Sequence, residues 1–172
     1  MVIRRVKEED GGLLRELAIR MYSDSPDAFS ETLEKAKQRN AEEWNSRAKW
    51  LADSTDVMGL IAYDEDWPCG FVMGLVGSFV NGSMDWKCRD SVTIAKTWVA
   101  PTVRRKGVGK ALTDTVKDWA YEKGVKLLEL QVTENNEAAK SFYKHLGFKD
   151  TGRREPLASN PQLQIYFLVL RL

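Results

Sequence analysis

The stretch "VAPTVRRKGVGKAL", residues 99–112, contains the most basic and glycine-rich turn of this sequence. Gly107 and Gly109 stand one residue apart where a helical pattern begins. The first N–H groups of a helix have no intrahelical acceptor, and glycine lets an anion approach them without meeting a Cβ. The same point is surrounded by basic side chains, namely Arg104, Arg105, Lys106 and Lys110. The stretch predicts a site for phosphate or diphosphate, although a basic turn without a ligand explains the same residues.

Two common nucleotide-binding motifs do not fit this stretch. A P-loop requires a glycine five residues before the Gly-Lys pair and a serine or threonine after it. Arg104 and Ala111 occupy those two positions. A dinucleotide fingerprint requires a third glycine three residues after Gly109, where Leu112 stands. The predicted phosphate site is therefore expected to be neither a P-loop nor a dinucleotide-binding fingerprint.

The elements on either side of the stretch indicate a mixed α/β sheet. The helix that follows is predicted to reach about Lys123 and to bury one face, formed by Val108, Ala111, Leu112, Thr115, Val116 and Trp119. Upstream, the patterns first predict a strand over 2–6, a helix from an N-cap at Asp10 to about Met21, and a second helix over about 30–48. They then predict two strands within 57–79 that are joined by an acidic turn, a connection over 81–90, and a strand over 91–100. Downstream, they predict a strand over 126–132, a helix over 135–147 and two final strands. Strands that alternate with helices are typical of a mixed sheet.

The composition is that of an ordinary globular chain. Its 172 residues are 43% hydrophobic and 30% charged, with a formal net charge of +1. These values predict one domain over residues 1–172 and exclude a general nucleic-acid binder, since the basic residues are local. Cys69 and Cys88 are expected to be free thiols of a cytoplasmic protein. No signal peptide and no stretch near the roughly 20 apolar residues of a membrane span is recognised.

A second motif, "NNEAAKSFYKHLGF" over residues 135–148, completes a resemblance. With the first motif it resembles the GNAT family of N-acetyltransferases. The first is similar to the family's Arg/Gln-x-x-Gly-x-Gly/Ala, matched by Arg104, Gly107 and Gly109. The second is similar to Asn-x-x-Ala-x-x-Phe/Tyr-Tyr followed by Leu-Gly-Phe, and its matching residues are Asn136, Ala139, Phe142, Tyr143, Leu146, Gly147 and Phe148. The resemblance covers nearly the whole chain and is weakest over residues 20–50.

The resemblance implies an α/β (α+β) single-domain fold, with a mixed central sheet of about six to seven strands and about four flanking helices. It implies transfer of an acetyl group from acetyl-coenzyme A to a small-molecule or peptide amine, by direct attack in a ternary complex. An acetyl-CoA-binding sensor or scaffold without turnover is the alternative. The acceptor would be the partner, and a homodimer is possible because the C-terminal run over 165–172 fits an interface strand as well as a core strand.

The resemblance also implies roles for individual residues. In the family, the pantetheine arm pairs with the strand before the first motif, and a backbone N–H of that strand faces the thioester carbonyl. Val99 is the candidate for this oxyanion donor. The cofactor-binding residues implied are Trp98, Val99, Arg104, Arg105, Lys106, Gly107, Val108, Gly109, Lys110, Asn136, Ala139 and Tyr143.

Tyr143 is the candidate general acid, because a phenol can give a proton to the leaving thiolate. A core position is the alternative, since Phe142 and Tyr143 both stand at helical spacing from Leu146. We expect Phe142 to be the buried anchor of the pair. Asn136 is expected to cap its helix, to bind the cofactor, or both.

The general base and the acceptor site are open at this stage. Lys96 and Thr97 stand where some family members carry a base carboxylate, Glu31 and Glu129 are substitutes, and His145 is expected at the surface. Positioning of the two reactants alone can lower the barrier of acetyl transfer considerably, so that a dedicated base is not required.

The acceptor site has candidate residues in two segments. Acids next to aromatic residues suit a cationic amine, namely Asp24 and Asp27 with Tyr22 and Phe29, and Asp85 with Trp86. An ordinary capped loop explains the same residues.

Overall fold

The computed structural model describes residues 1–80 and 83–172. Its centre is a seven-stranded mixed sheet in the order β1-β2-β3-β6-β7-β9-β8. The strands are β1 (Val2–Arg5), β2 (Val57–Asp64), β3 (Trp67–Val76), β4 (Ser78–Val80), β5 (Ser83–Asp85), β6 (Ser91–Val99), β7 (Leu127–Thr133), β8 (Lys149–Leu157) and β9 (Asn160–Arg171). The α-helices are α1 (Gly11–Asp24), α2 (Leu33–Gln38), α3 (Ala41–Asp53), α4 (Val108–Glu122) and α5 (Glu137–His145). The α/β prediction and the sheet of seven strands are confirmed.

The hairpin of β2 and β3 forms the antiparallel half of the sheet. Both strands are apolar along almost their whole length, and they are joined at Glu65 and Asp66, as the acidic turn predicts. Such continuous apolar runs are typical of strands covered on both faces. β4 and β5 form a separate two-stranded ribbon in the predicted connection; Asn81 and Gly82 of that connection lie outside the described residues.

The prediction of one helix over about 30–48 is wrong. Two helices, α2 and α3, occupy this region because Arg39 takes an extended conformation between them. Asn40 then caps α3: its side chain accepts from the N–H of Glu43, and the Glu43 carboxylate accepts from the N–H of Asn40. This reciprocal capping box starts a new helix and raises the number of helices from about four to five.

The helix α4 connects the parallel strands β6 and β7 and is confirmed with its predicted buried face. Val108, Leu112, Val116 and Trp119 are buried, while Ala111 and Thr115 are half-buried. The C-terminal strand β9 lies between β7 and β8 and is therefore an internal strand of the sheet. The homodimer stays a prediction.

Two further sequence expectations concern the cysteines and the membrane. Cys69 is a buried free thiol and Cys88 is a half-buried one. Among the described residues, no helix is both long and apolar enough to cross a membrane.

The strand β6 contains a bulge that matters for the site. Phe71 of β3 faces Trp98 and Met73 faces Ala95, so that two residues of β6, Lys96 and Thr97, lie opposite one residue of β3. Lys96 adopts a left-handed conformation with φ of 54°. An extra residue with positive φ bends the strand and redirects the groups that follow.

Candidate active site

A wedge opens between β6 and β7 at the centre of the sheet. The two strands pair in parallel only from Ser91 opposite Leu127 to Ile94 opposite Leu130. Beyond these residues β6 continues to Val99 along β3, while β7 continues to Thr133 along β9. The gap between them forms part of a cavity of about 810 Å³, which is also lined by α5 and by residues 28–31, 35, 39, 46, 47 and 50. Part of the β6 edge is therefore free for an extended ligand.

The N-terminus of α4 stands where β6 ends. Gly107 has a φ of 86° and no side chain caps the helix, so its first N–H groups lack a side-chain acceptor. A left-handed conformation strongly favours glycine. A Cβ on Gly109 would lie 3.4 Å from Phe142 and 3.6 Å from Val99. The structure thus places the predicted anion site between α4, β6 and α5, with exposed basic side chains from Arg104 to Lys106 and at Lys110.

Arg104 has a structural role that the sequence did not indicate. Its Nε donates to the carbonyl of Val99 at 2.9 Å, and its guanidinium pairs with Asp24 at the end of α1. Burial alone would raise the pKa of Asp24, but hydrogen bonds from Trp98, Ser25 and Arg104 outweigh it and lower that pKa. Arg104 therefore holds the end of β6 against α1, and only part of its guanidinium is free for a phosphate.

Val99 presents its main chain to the wedge. Gly70 lies opposite Val99, and the N–H of Ala100 donates to the carbonyl of Cys69 at 2.8 Å. In an antiparallel ladder this makes Gly70 and Val99 a non-hydrogen-bonded pair, whose own N–H and C=O point away from the partner strand. Because Arg104 takes the carbonyl, the N–H of Val99 is the group left facing the wedge.

Of the predicted cofactor-binding residues, Asn136, Ala139 and Tyr143 line the cavity, and Trp98 does not face the wedge. By the alternation along β6, its main-chain groups face β3. Its side chain is buried, and its indole N–H donates to Asp24 at 2.9 Å.

Tyr143 lines the cavity from α5 and is buried. Its ring lies 4.9 Å from that of Phe142 and 5.4 Å from that of Phe148, both in edge-to-face arrangements. Burial raises the pKa of Tyr143 to about 12, against a hydrogen bond with Thr97 that lowers it. The expectation that Phe142 is the buried anchor is wrong, since Phe142 is only half-buried at the edge of the wedge. The buried phenol is Tyr143, protonated at neutral pH.

Asn136 and Ala139 line the same cavity as Tyr143. The side-chain oxygen of Asn136 accepts from the N–H of Ala139 at 3.0 Å, which confirms the capping role. The side-chain NH₂ of Asn136 still has two donors. On β7, Gln131 Nε2 and Thr133 Oγ1 are buried, have no hydrogen-bond partner in the part of the chain that the structure describes, and line the cavity as well. Buried polar atoms are rarely left unpaired, so the wedge offers them to a polar ligand.

A charged cluster around Glu31 also lines the cavity. One carboxylate oxygen accepts from Lys96 at 2.5 Å and from the hydroxyl of Tyr22 at 2.8 Å. The other oxygen contacts Arg39 and lies 3.8 Å from Arg47. Burial alone would raise the pKa of Glu31, but the charge of Lys96 and the hydrogen bonds from Lys96 and Tyr22 outweigh it and lower the pKa to about 2.

The cluster contains functional candidates that sequence reasoning missed. Arg39 and Arg47 belong to a region whose sequence predicts a polar helix surface. The spacing of its charged residues does not indicate that they line a cavity. The sequence distinguishes Lys96 only by its position, where some family members carry a carboxylate. The bulge in β6 contains no glycine and therefore gives no sequence signal for the position of Lys96.

Neither carboxylate considered as a general base is placed to act as one. Glu31 is held ionised by the surrounding cations and has a pKa of about 2, so it is a weak proton acceptor. Glu129 does not line the cavity and accepts from Ser78 at 2.7 Å. His145 is exposed, as expected.

The acids and aromatics suggested for a cationic amine are not brought together. Asp24 is paired with Arg104, and the side chains of Asp27, Asp85 and Trp86 do not line the cavity. Phe29 does line it, and Tyr22 lies behind it as a partner of Glu31.

Comparison with known proteins identifies the class to which this fold and wedge belong. Residues 18–148 match the model of the acetyltransferase (GNAT) family. The peptidyl-lysine N-acetyltransferase YjaB of Salmonella typhimurium is 30% identical over 153 residues, which are 89% of this chain and 86% of that protein. The uncharacterized N-acetyltransferase MJ1207 of Methanocaldococcus jannaschii is 29% identical over 144 residues, which are 80% of this chain but only 63% of that protein.

Solved structures show the same fold. An acetyltransferase of the GNAT family from Streptococcus pneumoniae has a TM-score of 0.82 at 19% identity, over 99% of this chain and 98% of that one. The putative acetyltransferase yncA of Salmonella typhimurium, solved with its cofactor acetyl-CoA, has a TM-score of 0.72 at 19% identity, over 100% and 94%. The chain belongs to the GNAT acetyltransferase family, a class of N-acetyltransferase that uses acetyl-coenzyme A as donor.

Proposed function

We propose that this protein transfers the acetyl group of acetyl-coenzyme A to an amine by direct attack within a ternary complex. The observation that carries the proposal is the parting of β6 and β7, which opens a cavity of about 810 Å³. The pantetheine arm would lie against the free edge of β6, and the diphosphate would accept hydrogen bonds from the N–H groups of residues 108–110. The unpartnered Gln131 Nε2 and Thr133 Oγ1 fit such a ligand, since its arm carries amides and hydroxyls.

The basic side chains at the mouth of the wedge complete the proposed cofactor site. Arg105, Lys106 and Lys110 are exposed and attract the phosphates. Arg104 contributes mainly by fixing the end of β6 through the carbonyl of Val99. Asn136 and Ala139 form the side of the site contributed by α5. Trp98 supports the strand from the core and is not among the groups in contact with the cofactor in this proposal.

The proposed chemistry assigns one step to each of two residues. When bound, acetyl-coenzyme A supplies a thioester. The N–H of Val99 donates to the thioester oxygen and stabilises the negative charge that develops there when the amine nitrogen attacks. Tyr143 gives its proton to the sulfur as the C–S bond breaks and the C–N bond forms. The phenol carries its proton at neutral pH, because burial raises the pKa of Tyr143 to about 12.

The proton of the acceptor amine leaves through water in this proposal. Glu31 is the one carboxylate that lines the described part of the cavity, and its pKa of about 2 makes it a weak base. The orientation of the amine against the thioester then provides a large share of the rate acceleration, because well-oriented neighbouring reactants reach high effective concentrations.

A thiol-release assay tests the proposed function. The protein is incubated with acetyl-coenzyme A and a panel of small amines, polyamines and lysine-containing peptides, the last because YjaB is named as a peptidyl-lysine enzyme. We expect free thiol to appear only when an acceptor amine is present. Calorimetry measures coenzyme A binding separately. Binding without thiol release for any amine would favour the sensor, and failure to bind coenzyme A would contradict both functions.

A further inference from the structure

The cavity wall around Glu31 carries more positive than negative charge. Four cationic side chains line the described part of the cavity, namely Lys35, Arg39, Arg47 and Lys96, against the single carboxylate of Glu31. The neighbouring acids Glu42 and Glu43 do not line this cavity, but they line an adjoining depression together with Arg39 and Arg47. One carboxylate cannot neutralise four cations, so the cavity has a positive end.

The surplus charge is accessible to a ligand. Arg47 reaches Glu31 only at 3.8 Å and its side chain is 41% exposed, so most of its guanidinium donors point elsewhere. Lys35 has no ion pair with the residues of the described ranges 1–80 and 83–172. Arg39 Nη1 is buried against Glu31 and pairs with its carboxylate. Arg47 and Lys35 therefore supply the donors suited to an anion.

The titration of Lys96 agrees with this excess of positive charge. Burial lowers the pKa of Lys96, the carboxylate of Glu31 opposes that effect, and the charges of Arg47 and Arg39 lower the pKa further. An anionic group bound beside these side chains would relieve their mutual repulsion.

We infer that the acceptor is an amine that also carries an anionic group, a carboxylate or a phosphate, which binds to the cationic wall formed by Lys35, Arg39, Arg47 and Lys96. This inference rests on the proposed function. The wall and Tyr143 line the same cavity, and Lys35 and Arg47 come from α2 and α3 and not from the wedge strands, so the anion would be held beside the cofactor while the amine faces the thioester. Binding of one end of the acceptor would thus orient the other.

Matched pairs of amines test the inference. Lysine is compared with cadaverine, tyrosine with tyramine, and phosphoethanolamine with ethanolamine, so that each pair differs by one anionic group. We expect the anionic member to have a kcat/KM at least about tenfold higher in one or more pairs, equivalent to about 1.4 kcal/mol. The lysine and tyrosine pairs test recognition of a carboxylate, and the phosphoethanolamine pair tests recognition of a phosphate. Equal values in all pairs, or a preference for the members without the anion, would overturn the inference.

Binding gives an answer that does not require turnover. The same pairs are titrated calorimetrically into the protein saturated with coenzyme A, and we expect the anionic member to bind more tightly. If coenzyme A binds and no anionic amine does, the inference is overturned while the cofactor assignment stands. If coenzyme A itself fails to bind, the proposed function fails first.

Arg47→Gln probes the wall directly, with Lys49→Gln as its matched control on the same helix. Lys49 is exposed and pairs with Glu8 and Asp53 outside the cavity. We expect Arg47→Gln to reduce the preference for the anionic member at least fivefold, whereas Lys49→Gln should leave the preference and the coenzyme A affinity unchanged. Arg47→Lys should retain much of the preference. An unchanged preference in Arg47→Gln would count against the inference.

Discussion

At the scale of single residues, Tyr143 and Glu31 show how burial produces opposite chemical states. Tyr143 is buried without a charged partner, and its pKa rises to about 12. Glu31 is also largely buried, but the cations around it lower its pKa to about 2. The phenol is therefore a proton donor at neutral pH, and the carboxylate is a fixed negative charge. The environment of each residue strengthens the protonation state that its type has at neutral pH.

Sequence reasoning reached some of these residues and not others. The cap at Asn136 is predictable, because asparagine before a helical pattern is a local signal. The exposure of His145 is predictable from its angle around the helix. Which of Phe142 and Tyr143 is buried is not, since it depends on Phe148 and Thr97, which reach Tyr143 only in the folded chain.

Tyr143→Phe removes the proposed acid while keeping the ring. We expect kcat to fall at least about tenfold, because a positioned acid contributes roughly 10²–10⁴-fold and water can replace part of it. Coenzyme A affinity should stay within about twofold, since the packing with Phe142 and Phe148 is retained. Steady-state kinetics and calorimetry measure the two quantities. Tyr121→Phe removes an exposed hydroxyl and is the control.

The pattern of effects decides the role of Tyr143. An unchanged kcat, or a loss of kcat matched by an equal loss of cofactor affinity, would reduce Tyr143 to a packing residue.

Glu31→Gln tests the charged cluster through stability. The pKa of Glu31 is depressed from its ordinary 4.5 to about 2, so its contribution is present above pH 4.5 and lost as pH falls toward 2. At roughly 1.4 kcal/mol for each pH unit, this contribution is about 3 kcal/mol at neutral pH. We expect the variant to be less stable at pH 7 by about that amount and to lose less further stability between pH 4.5 and pH 3.

Urea unfolding at several pH values measures this effect, and Glu34→Gln, on the exposed surface of α2, is the control. A variant whose free energy of unfolding follows the wild type in parallel across the whole pH range would contradict the account of Glu31.

At the scale of elements, the site is made by two local departures from regular structure. The bulge at Lys96 and Thr97 bends β6 away from β7, and the left-handed Gly107 begins α4 without a side-chain cap. The second departure is predictable, because paired glycines before an amphipathic helix are a strong local signal. The first is not, because a lysine with positive φ is held there by its surroundings. The helix break at Arg39 has a local signal, because Asn40 and Glu43 form the capping box that starts α3.

The two ends of α4 allow a matched test of the anion site. Gly107 and Gly124 both have positive φ, at 86° and 69°, and a Cβ at either would meet nothing within 4 Å. Gly107→Ala and Gly124→Ala should therefore each cost about 1 kcal/mol of stability through backbone strain. Only Gly107→Ala should shift the N–H groups at the start of the helix, and we expect its Kd for coenzyme A to rise at least fivefold. Equal affinities in the two variants would contradict the placement of the diphosphate.

At the scale of the whole molecule, the order of elements and the position of the wedge follow from patterns along the chain. Periodicity predicts the strands and most of the helices, and the resemblance to the GNAT family implies that the cofactor lies along β6. The charge of the acceptor end does not follow, because Arg39, Arg47 and Lys96 come from α2–α3 and β6 and meet only through tertiary packing around Glu31. A net charge of +1 conceals this local excess.

The most direct test of the account is a crystal structure of the protein with coenzyme A. We expect the pantetheine arm between β6 and β7, and diphosphate oxygens about 2.7–3.2 Å from the main-chain nitrogens of residues 108–110. A diphosphate bound elsewhere, or crystals grown with saturating coenzyme A in which the cofactor lies outside the wedge, would contradict it.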